Sequence, residues 1–219
     1  MKKTDYNTDK IDILIKKILL KSGLKLIHLE IIKKFLLFLL DKNTDMNLIS
    51  RKLTFNEIIY DHIFDCLVCN QYFKKYSSIT DLGSGGGFPG LLLAIIFPEK
   101  KIYLIEKSIK KANFLKETVE LLNLKNVTII NDLVNEQKIR SEVITCRAFK
   151  DINTILSQTK DFFVTGGVYI LYKGKSEMIK DELLSTKEQF KIKVSINKIN
   201  KIKGKERHII IIKKTIDQL

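Results

Sequence analysis

The chain reads as an α/β protein: a mostly parallel, Rossmann-like sheet with a helical N-terminal cap before it and an antiparallel pair of strands at its C-terminal end. Three observations predict this. From Ser78 onward, short strand-like runs alternate with helix-like ones, the pattern of a parallel sheet covered on both faces. The stretch DLGSGGGFPG, residues 81 to 90, places five of the chain's ten glycines within ten residues and has apolar sequence on both sides. That marks a turn between a strand and a helix, not a linker. Residues 10 to 40, in contrast, carry apolar side chains at helical spacing. With 219 residues, 45% of them hydrophobic, the chain can build one sizeable core and a small accessory subdomain. The expected division is a cap over residues 1–75 and a core over residues 76–219, joined as one compact unit.

In chain order, Ile11, Leu14, Ile15 and Ile18 mark a first helix, which Ser22-Gly23 breaks. Leu26, Leu29, Ile32, Phe35, Leu36 and Leu39 mark a second. After the loop DKNTDMNLIS a third helix is expected over roughly residues 55–72, with HIFDCLVC as one apolar face. SITDL, KIYLIE, NVTII and EVITCRA then read as strands, separated by the helix-like GLLLAII, IKKANFLKETVELLN and INTILSQTKDFF. In the tail, GGVYILYKG, FKIKVSINKI and RHIIIIKK read as three further strands, the last two forming a hairpin. There is no internal repeat, low-complexity tract or proline-rich linker.

Several classes are excluded. No uncharged apolar run reaches about 18 residues, and even IIKKFLLFLL carries Lys33 and Lys34. The opening MKKTDYNTDK has no apolar signal-peptide region. A soluble, cytoplasmic protein without membrane attachment is expected. Cys66, Cys69 and Cys146 do not make a disulfide framework. The lone Cys66-x-x-Cys69 has no second pair or neighbouring histidines for zinc or redox work, so it reads as core packing, and no metal is expected. The net charge of +14 favours a polyanionic partner. Only Arg51, Arg140, Arg147 and Arg207 are arginine, however, and Ile, Lys and Asn abound, so part of the lysine excess reflects coding bias.

The glycine stretch carries the chemistry. Its strand ends at Asp81-Leu82, Gly83 opens the turn, and a helix starts near Pro89-Gly90, which places a ligand at the carboxyl edge of the sheet. A P-loop would need G-K-[ST], which is missing. Gly85, Gly87 and Gly90 match the dinucleotide fingerprint literally, but they start three residues past Leu82, too late for the tight turn off the strand. The frame Asp81-x-Gly83-x-Gly85 fits better. Its acid, at the strand's end, can face a cation or an amine, which suits the sulfonium and amino-acid parts of S-adenosylmethionine. Gly83 is expected to stay bare so that the ligand can approach the backbone. Glu106 ends the second strand, 23 residues after Gly83, where an acid can accept both ribose hydroxyls.

In order along the chain, NLIS, DHIFDCL, DLGSGGGFPG, EKSIKKANFL, CRAF, KGK and ERHIIIIKK resemble the bacterial RsmG (GidB) methyltransferase family, from about Asn47 to Lys214. The resemblance implies a class I S-adenosylmethionine-dependent methyltransferase fold. It also implies methyl transfer to N7 of a guanine in 16S ribosomal RNA, free or in the small-subunit particle, by a monomer. The family's cofactor contacts fall on Gly83, Phe88, the pair Val134-Asn135, and Arg147, beside Gly85 and Glu106. Two positions depart from the family. An acid is usual where Asn135 stands, with Asp132 or Glu136 as substitutes on the adenine side. The family's R-H-x-x-D-S appears here as Asp61-His62-Ile63-Phe64-Asp65-Cys66, without the arginine.

Guanine N7 has an exposed lone pair and no proton, so attack on a sulfonium methyl needs positioning and no general base. No catalytic residue is therefore expected, in keeping with only three histidines, His28, His62 and His208. His28 reads as structural, while His62 divides between packing and RNA contact. Arg207, beside His208, suits a phosphate or a guanine edge. His62, Lys110, Lys111, Lys173 and Arg207 are the expected RNA contacts, with Lys107 at the same edge. The stretch TCRAF lacks the N-P-P-Y-like tetrapeptide of amino-group methylases. Cys146 is the only candidate there for a cytosine-C5 nucleophile, and reads instead as a buried strand residue. The competing readings are a catalytically silent RNA-binding protein of the same fold, a cytosine-C5 methyltransferase, and an NAD-dependent oxidoreductase.

Overall fold

The structure is a computed structural model and describes residues 8–134, 139–199 and 204–215. Helices α1 (Thr8–Lys21) and α2 (Leu29–Lys42) form the beginning of the cap. α1 buries Ile11, Ile15 and Ile18, and α2 buries Ile32, Phe35, Leu36 and Leu39. These are among the residues that the helical spacing singles out; Leu14 and Leu29 are half-buried instead, and Leu26 is exposed. Lys33 reaches across to Asp12 at 2.7 Å and joins the two helices.

The third helix is not uniform. It starts as α3 (Phe55–Ile58), widens into a π-helical segment, Ile59–Phe64, and closes as α4 (Asp65–Leu67). A capping box opens it: Glu57 N–H donates to Thr54 Oγ1, and Thr54 N–H donates to Glu57 Oε2 at 2.8 Å. Ile59, Ile63 and Phe64 turn into the core, while Asp61, His62 and Asp65 face the carboxyl edge of the sheet.

The core has β1 (Ser78–Leu82), α5 (Gly90–Ile96), β2 (Lys101–Ile105), α6 (Ile109–Leu121), β3 (Val127–Ile130) and β4 (Val143–Arg147). There follow α7 (Ile152–Gln158), α8 (Lys160–Val164), β5 (Val168–Lys173), α9 (Ser176–Gln189), β6 (Ile192–Lys198) and β7 (His208–Lys214). The seven strands lie in the order β3-β2-β1-β4-β5-β7-β6. The first five are parallel, β7 runs antiparallel to β5, and β6 runs antiparallel to β7. The α/β prediction with an antiparallel C-terminal pair holds.

Alternate strand residues point to opposite faces. Ile79, Leu104, Val143 and Ile170 join one apolar cluster with the cap, α5 and α6. Ile144, Cys146, Leu171 and Ile210 join a second cluster with α7, α8 and α9. Cap and sheet thus share continuous packing on one face. No helix among the described residues is long and apolar enough to cross a membrane.

Three details differ from the sequence reading. INTILSQTKDFF breaks at Thr159, whose hydroxyl bonds both Ile155 O at 2.7 Å and Tyr169 Oη at 2.8 Å. The tail's hairpin joins the sheet through its second strand, so that β7 lies between β5 and β6. A helix, α9, spans a run to which the sequence reading gives no element; it buries only Ile179, Leu183 and Thr186.

Candidate active site

The glycine loop leaves β1 under tight control. The N–H groups of Gly83 and Ser84 both donate to Ile105 O, at 2.8 and 3.1 Å, which ties the loop's start to the end of β2. Gly83, Gly85 and Gly87 have φ of +66°, +54° and +87°, a region that side chains disfavour. Protein packing closes over most of these glycines. A methyl group on Gly83 would meet the Phe149 ring at 2.4 Å, one on Gly87 would meet Leu91 at 2.3 Å, and one on Gly90 would meet Leu104 at 2.3 Å and Asp81 Oδ2 at 2.7 Å. On Gly86 it would press on Leu48 O at 3.3 Å. Only at Gly85 does the loop leave room, with Gly83 O at 3.7 Å as the nearest atom. This corrects the expectation for Gly83: a ring from the segment after β4 lies against it, and the open face belongs to Gly85.

Glu106 sits at that same corner. Gly85 N–H donates to its Oε2 at 2.9 Å and Ser108 N–H to its Oε1 at 2.8 Å, so the carboxylate is fixed, with a lone pair on each oxygen still available. Asn131 Nδ2 donates to Glu106 O at 2.7 Å and holds the strand end from below. Val134 is buried nearby in the second apolar cluster, whereas Asn135 and Glu136 lie outside the described residues. Asp81 does not face an open cation site as expected. It is wholly buried and accepts from Gly90 N–H at 3.0 Å, at the start of α5. Its Oδ1 has no partner, and burial pushes the carboxyl up to about 7. A fixed acid beside an open glycine, with a buried apolar side chain nearby, suits the ribose of a nucleoside.

A cavity of about 530 Å³ opens next to this corner, at the carboxyl ends of β4 and β5 and the start of β7. His62, Asp65, Arg147, Phe149, Lys173 and Arg207 line it. Arg147 is its hub. The guanidinium donates to Asp65 Oδ2 at 3.1 Å and to Asp61 O, meets His62 Nδ1, and lies 5.4 Å from the centre of the Phe88 ring. His62 also packs on Phe88, with ring centres 5.2 Å apart. Arg207 Nε donates to the same Asp65 oxygen at 3.3 Å. Burial pushes the Asp65 carboxyl up, and the two guanidiniums pull it back. Burial, with Arg147 and Arg207 nearby, pushes His62 down to about 3. His62 is therefore neutral, and because Nδ1 faces a guanidinium it must accept there, which assigns the proton to Nε2.

The remaining residues divide. Lys173 lines the cavity but is held by Glu182 at 2.6 Å and Lys150 O at 2.9 Å. Lys110 is exposed and Lys111 half-buried on the first turn of α6, at the end of β2, and neither lines the cavity. The expected RNA contacts therefore do not converge: His62, Lys173 and Arg207 come together, and the α6 lysines stand apart, because α6 follows β2 while the cavity opens over β4, β5 and β7. His208 is buried, its Nδ1 2.7 Å from Gly174 O, and serves the strand start. Cys146 is buried, with burial pushing its thiol up to about 12, so no thiolate exists near neutral pH. Cys66 and Cys69 are also free and buried.

Phe149 and Glu182 escape the sequence reading. The first was visible as an aromatic directly after the fourth strand. The second lies on the helix that the sequence reading leaves unassigned.

Residues 28–210 match the family described as rRNA small subunit methyltransferase G, GidB. The chain is 36% identical to ribosomal RNA small subunit methyltransferase G 1 of Bdellovibrio bacteriovorus over 198 residues, covering 89% of this chain and 95% of that protein. It is 40% identical to the methyltransferase G of Brachyspira hyodysenteriae over 174 residues, covering 79% and 84%. Among solved structures, an O-methyltransferase from Bacillus cereus in complex with S-adenosylhomocysteine aligns with a TM-score of 0.56 at 17% identity, covering 82% of this chain and 90% of that one. An S-adenosylmethionine-dependent O-methyltransferase from Thermotoga maritima aligns at 0.54 and 15%, covering 83% and 72%. At such identities these two structures speak for the fold.

Proposed function

The chain belongs to the small-subunit rRNA methyltransferase G (GidB) family, and on that premise we propose that it methylates N7 of a guanine in 16S ribosomal RNA with S-adenosylmethionine as methyl donor. The bound cofactor supplies an electrophilic methyl group on a sulfonium centre. Glu106 holds the ribose side of the cofactor site beside the open face of Gly85, with Val134 toward the base. Gly83 completes the turn, and Phe88 with Arg147 forms the wall shared with the cavity.

One observation carries the choice of acceptor atom: neither His62 nor Cys146, the histidine and the thiol that the sequence points to, is available as a base or a nucleophile. His62 commits Nδ1 to Arg147 and is protonated on Nε2, and Cys146 is a buried thiol. Guanine N7 asks for neither, since its lone pair is free and the product loses no proton. What the cavity does offer is donors. His62 and Arg207 can hold guanine O6 and neighbouring phosphates while N7 stays open to the methyl group. Arg147 with Asp65, and Lys173 with Glu182, line the cavity as ion pairs that fix its walls. Outside the cavity, Lys110 and Lys111 remain candidates for contacts to flanking phosphates.

The test is to incubate the protein with methyl-labelled S-adenosylmethionine and unmodified 16S RNA or small-subunit particles, then digest the RNA to nucleosides. Label in 7-methylguanosine is the expected result. Label in 5-methylcytidine would move the reaction to Cys146. Normal cofactor and RNA binding without any labelled nucleoside would leave the silent RNA-binding reading.

A further inference from the structure

The opposite edge of the sheet carries a second concavity, of about 540 Å³, between the segment that leads into β1 and the outer hairpin. Tyr72, Lys74, Lys75 and Tyr76 line it from the first side, and Lys193 of β6 and Lys213 of β7 from the second. Lys193 and Lys213 are direct partners in the antiparallel pair, so their side chains stand next to each other. Every charged residue in the lining is a lysine. All four lysines are exposed, and none of them pairs with a carboxylate among the described residues.

Composition alone does not explain this. In the active-site cavity three cations have a carboxylate: Arg147 and Arg207 share Asp65, and Lys173 holds Glu182. Here four like charges are gathered without compensation, an arrangement that repels itself unless an anion enters. The segment is also fixed in place. Lys100 is buried and donates through Nζ to the carbonyls of Lys74 at 2.9 Å and of Tyr76, which pins the turn that presents Lys74 and Lys75. Lys75 Nζ lies 5.0 Å from the Tyr76 ring centre, so cation and aromatic face occur together.

We propose that this groove is a second RNA site, which grips the phosphodiester backbone of the ribosomal RNA substrate away from the base being methylated. The proposal rests on the family's RNA substrate and adds where else that RNA is held. Lysines neutralise phosphates without reading sequence, and Tyr72 and Tyr76 offer faces on which an unpaired base can stack. The six residues of β5 separate the two edges by about 20 Å at a rise of ~3.3 Å per residue. A single nucleotide cannot touch both. A stem of several base pairs would bridge them. The groove thus positions a whole RNA segment, while the cavity selects the base.

The experiment uses the full-length variant K74Q/K75Q/K193Q/K213Q, with K16Q/K17Q/K25Q/K160Q as an equal-charge control. Binding to unmodified 16S RNA is measured across a salt series, alongside S-adenosylmethionine affinity, thermal stability and methylation. In the groove variant the slope of log K against log salt should become shallower by about 3 to 4, at ~0.9 for each phosphate no longer neutralised. The KM for RNA should rise at least tenfold, with kcat at saturating RNA and cofactor affinity unchanged. The control should shift the slope by less than about 1. An unchanged slope in the groove variant, or equal shifts in both variants, overturns the proposal. So does a lysine-dependent affinity for anionic phospholipid vesicles with RNA binding unaltered. Wild-type methylation separates the two readings: if wild type deposits 7-methylguanosine but the groove variant binds RNA normally, only the groove is wrong.

Discussion

Replacing Gly85 with alanine should weaken cofactor binding at least tenfold without unfolding the protein, whereas replacing Gly83 should chiefly cost stability. The two glycines are two residues apart and share a left-handed backbone, with φ of +54° and +66°. An alanine at either position therefore carries a similar backbone strain of about 1–2 kcal/mol. Their surroundings differ. An added methyl at Gly85 has nothing closer than Gly83 O at 3.7 Å, so the folded state absorbs it; at Gly83 it lands 2.4 Å from the Phe149 ring, which must move. Gly85→Ala should lower the melting temperature by only about 2–8 °C, at ~2–4 °C per kcal/mol for a chain of this size. The methyl group would then occupy the open face beside Glu106, and S-adenosylmethionine affinity measured by calorimetry should fall at least tenfold, a loss of about 1.4 kcal/mol or more. Gly83→Ala should be the less stable variant, and Phe149→Ala in the same chain should restore much of its stability, because removing the ring removes the clash. A folded Gly85→Ala protein that binds the cofactor with wild-type affinity would refute the placement of the ligand at this corner.

The remaining expectations concern the cavity and the core. Cys146→Ser should form no covalent RNA adduct and retain most turnover, at a packing loss of about 1 kcal/mol; complete loss of turnover in a folded, cofactor-binding variant would restore the cytosine-C5 chemistry. Asp65→Asn should destabilise the protein by about 3–5 kcal/mol in urea denaturation, because Arg147 and Arg207 lose the one carboxylate they share, and unchanged stability would show the pair to be dispensable. His62 titrates near 6.5 when unfolded and about 3 when folded. The unfolded chain therefore binds the proton first, so the stability held above pH 6.5 is lost as pH falls toward 3. His62→Gln should flatten that part of the acid-unfolding profile, and an identical profile would place the acid sensitivity elsewhere. Leu36→Ala, in the wholly buried face of α2, should destabilise the protein by about 2–5 kcal/mol; a loss under 1 kcal/mol would mean that the cap contributes little to the common core.

Most of the scaffold was legible because its signals are local. Alternating strands and helices, the break at Ser22-Gly23 and the glycine turn each express a backbone preference over a few residues, and the strands begin and end within a residue or two of where the sequence puts them. The helix α9 was hidden because it buries only three residues in fourteen, too narrow a seam to give a period against so many charges. The site was legible in its residue types and only partly in its roles. Gly85 and Glu106 could be paired by reasoning from the fold, since both lie at carboxyl ends of adjacent strands. That Phe149 would close over Gly83, or that Arg147 would turn to the cap, depends on contacts between segments more than sixty residues apart, for which spacing carries no information.

The acid at position 61 shows how such a long-range contact can reconcile a departure from the family's pattern. Where the family carries an arginine ahead of its histidine, this chain has Asp61, whose side chain meets Lys205 from the segment leading into β7. A cation from the far end of the chain thus stands beside the cap helix at this position. Asp61 also lends its carbonyl to Arg147, so the main chain at this position still helps aim the guanidinium at Asp65. Lys205→Gln should consequently weaken RNA binding more than neutralising an isolated surface lysine does, because it strands Asp61 at the rim as an uncompensated negative charge facing the phosphates. Asp61→Asn in the same chain should recover most of that loss, since it removes the repulsion without disturbing the carbonyl. A Lys205→Gln protein whose RNA affinity cannot be told from that of the K160Q variant, or one that Asp61→Asn fails to rescue, would mean that the pair only fastens the segment before β7 to the cap.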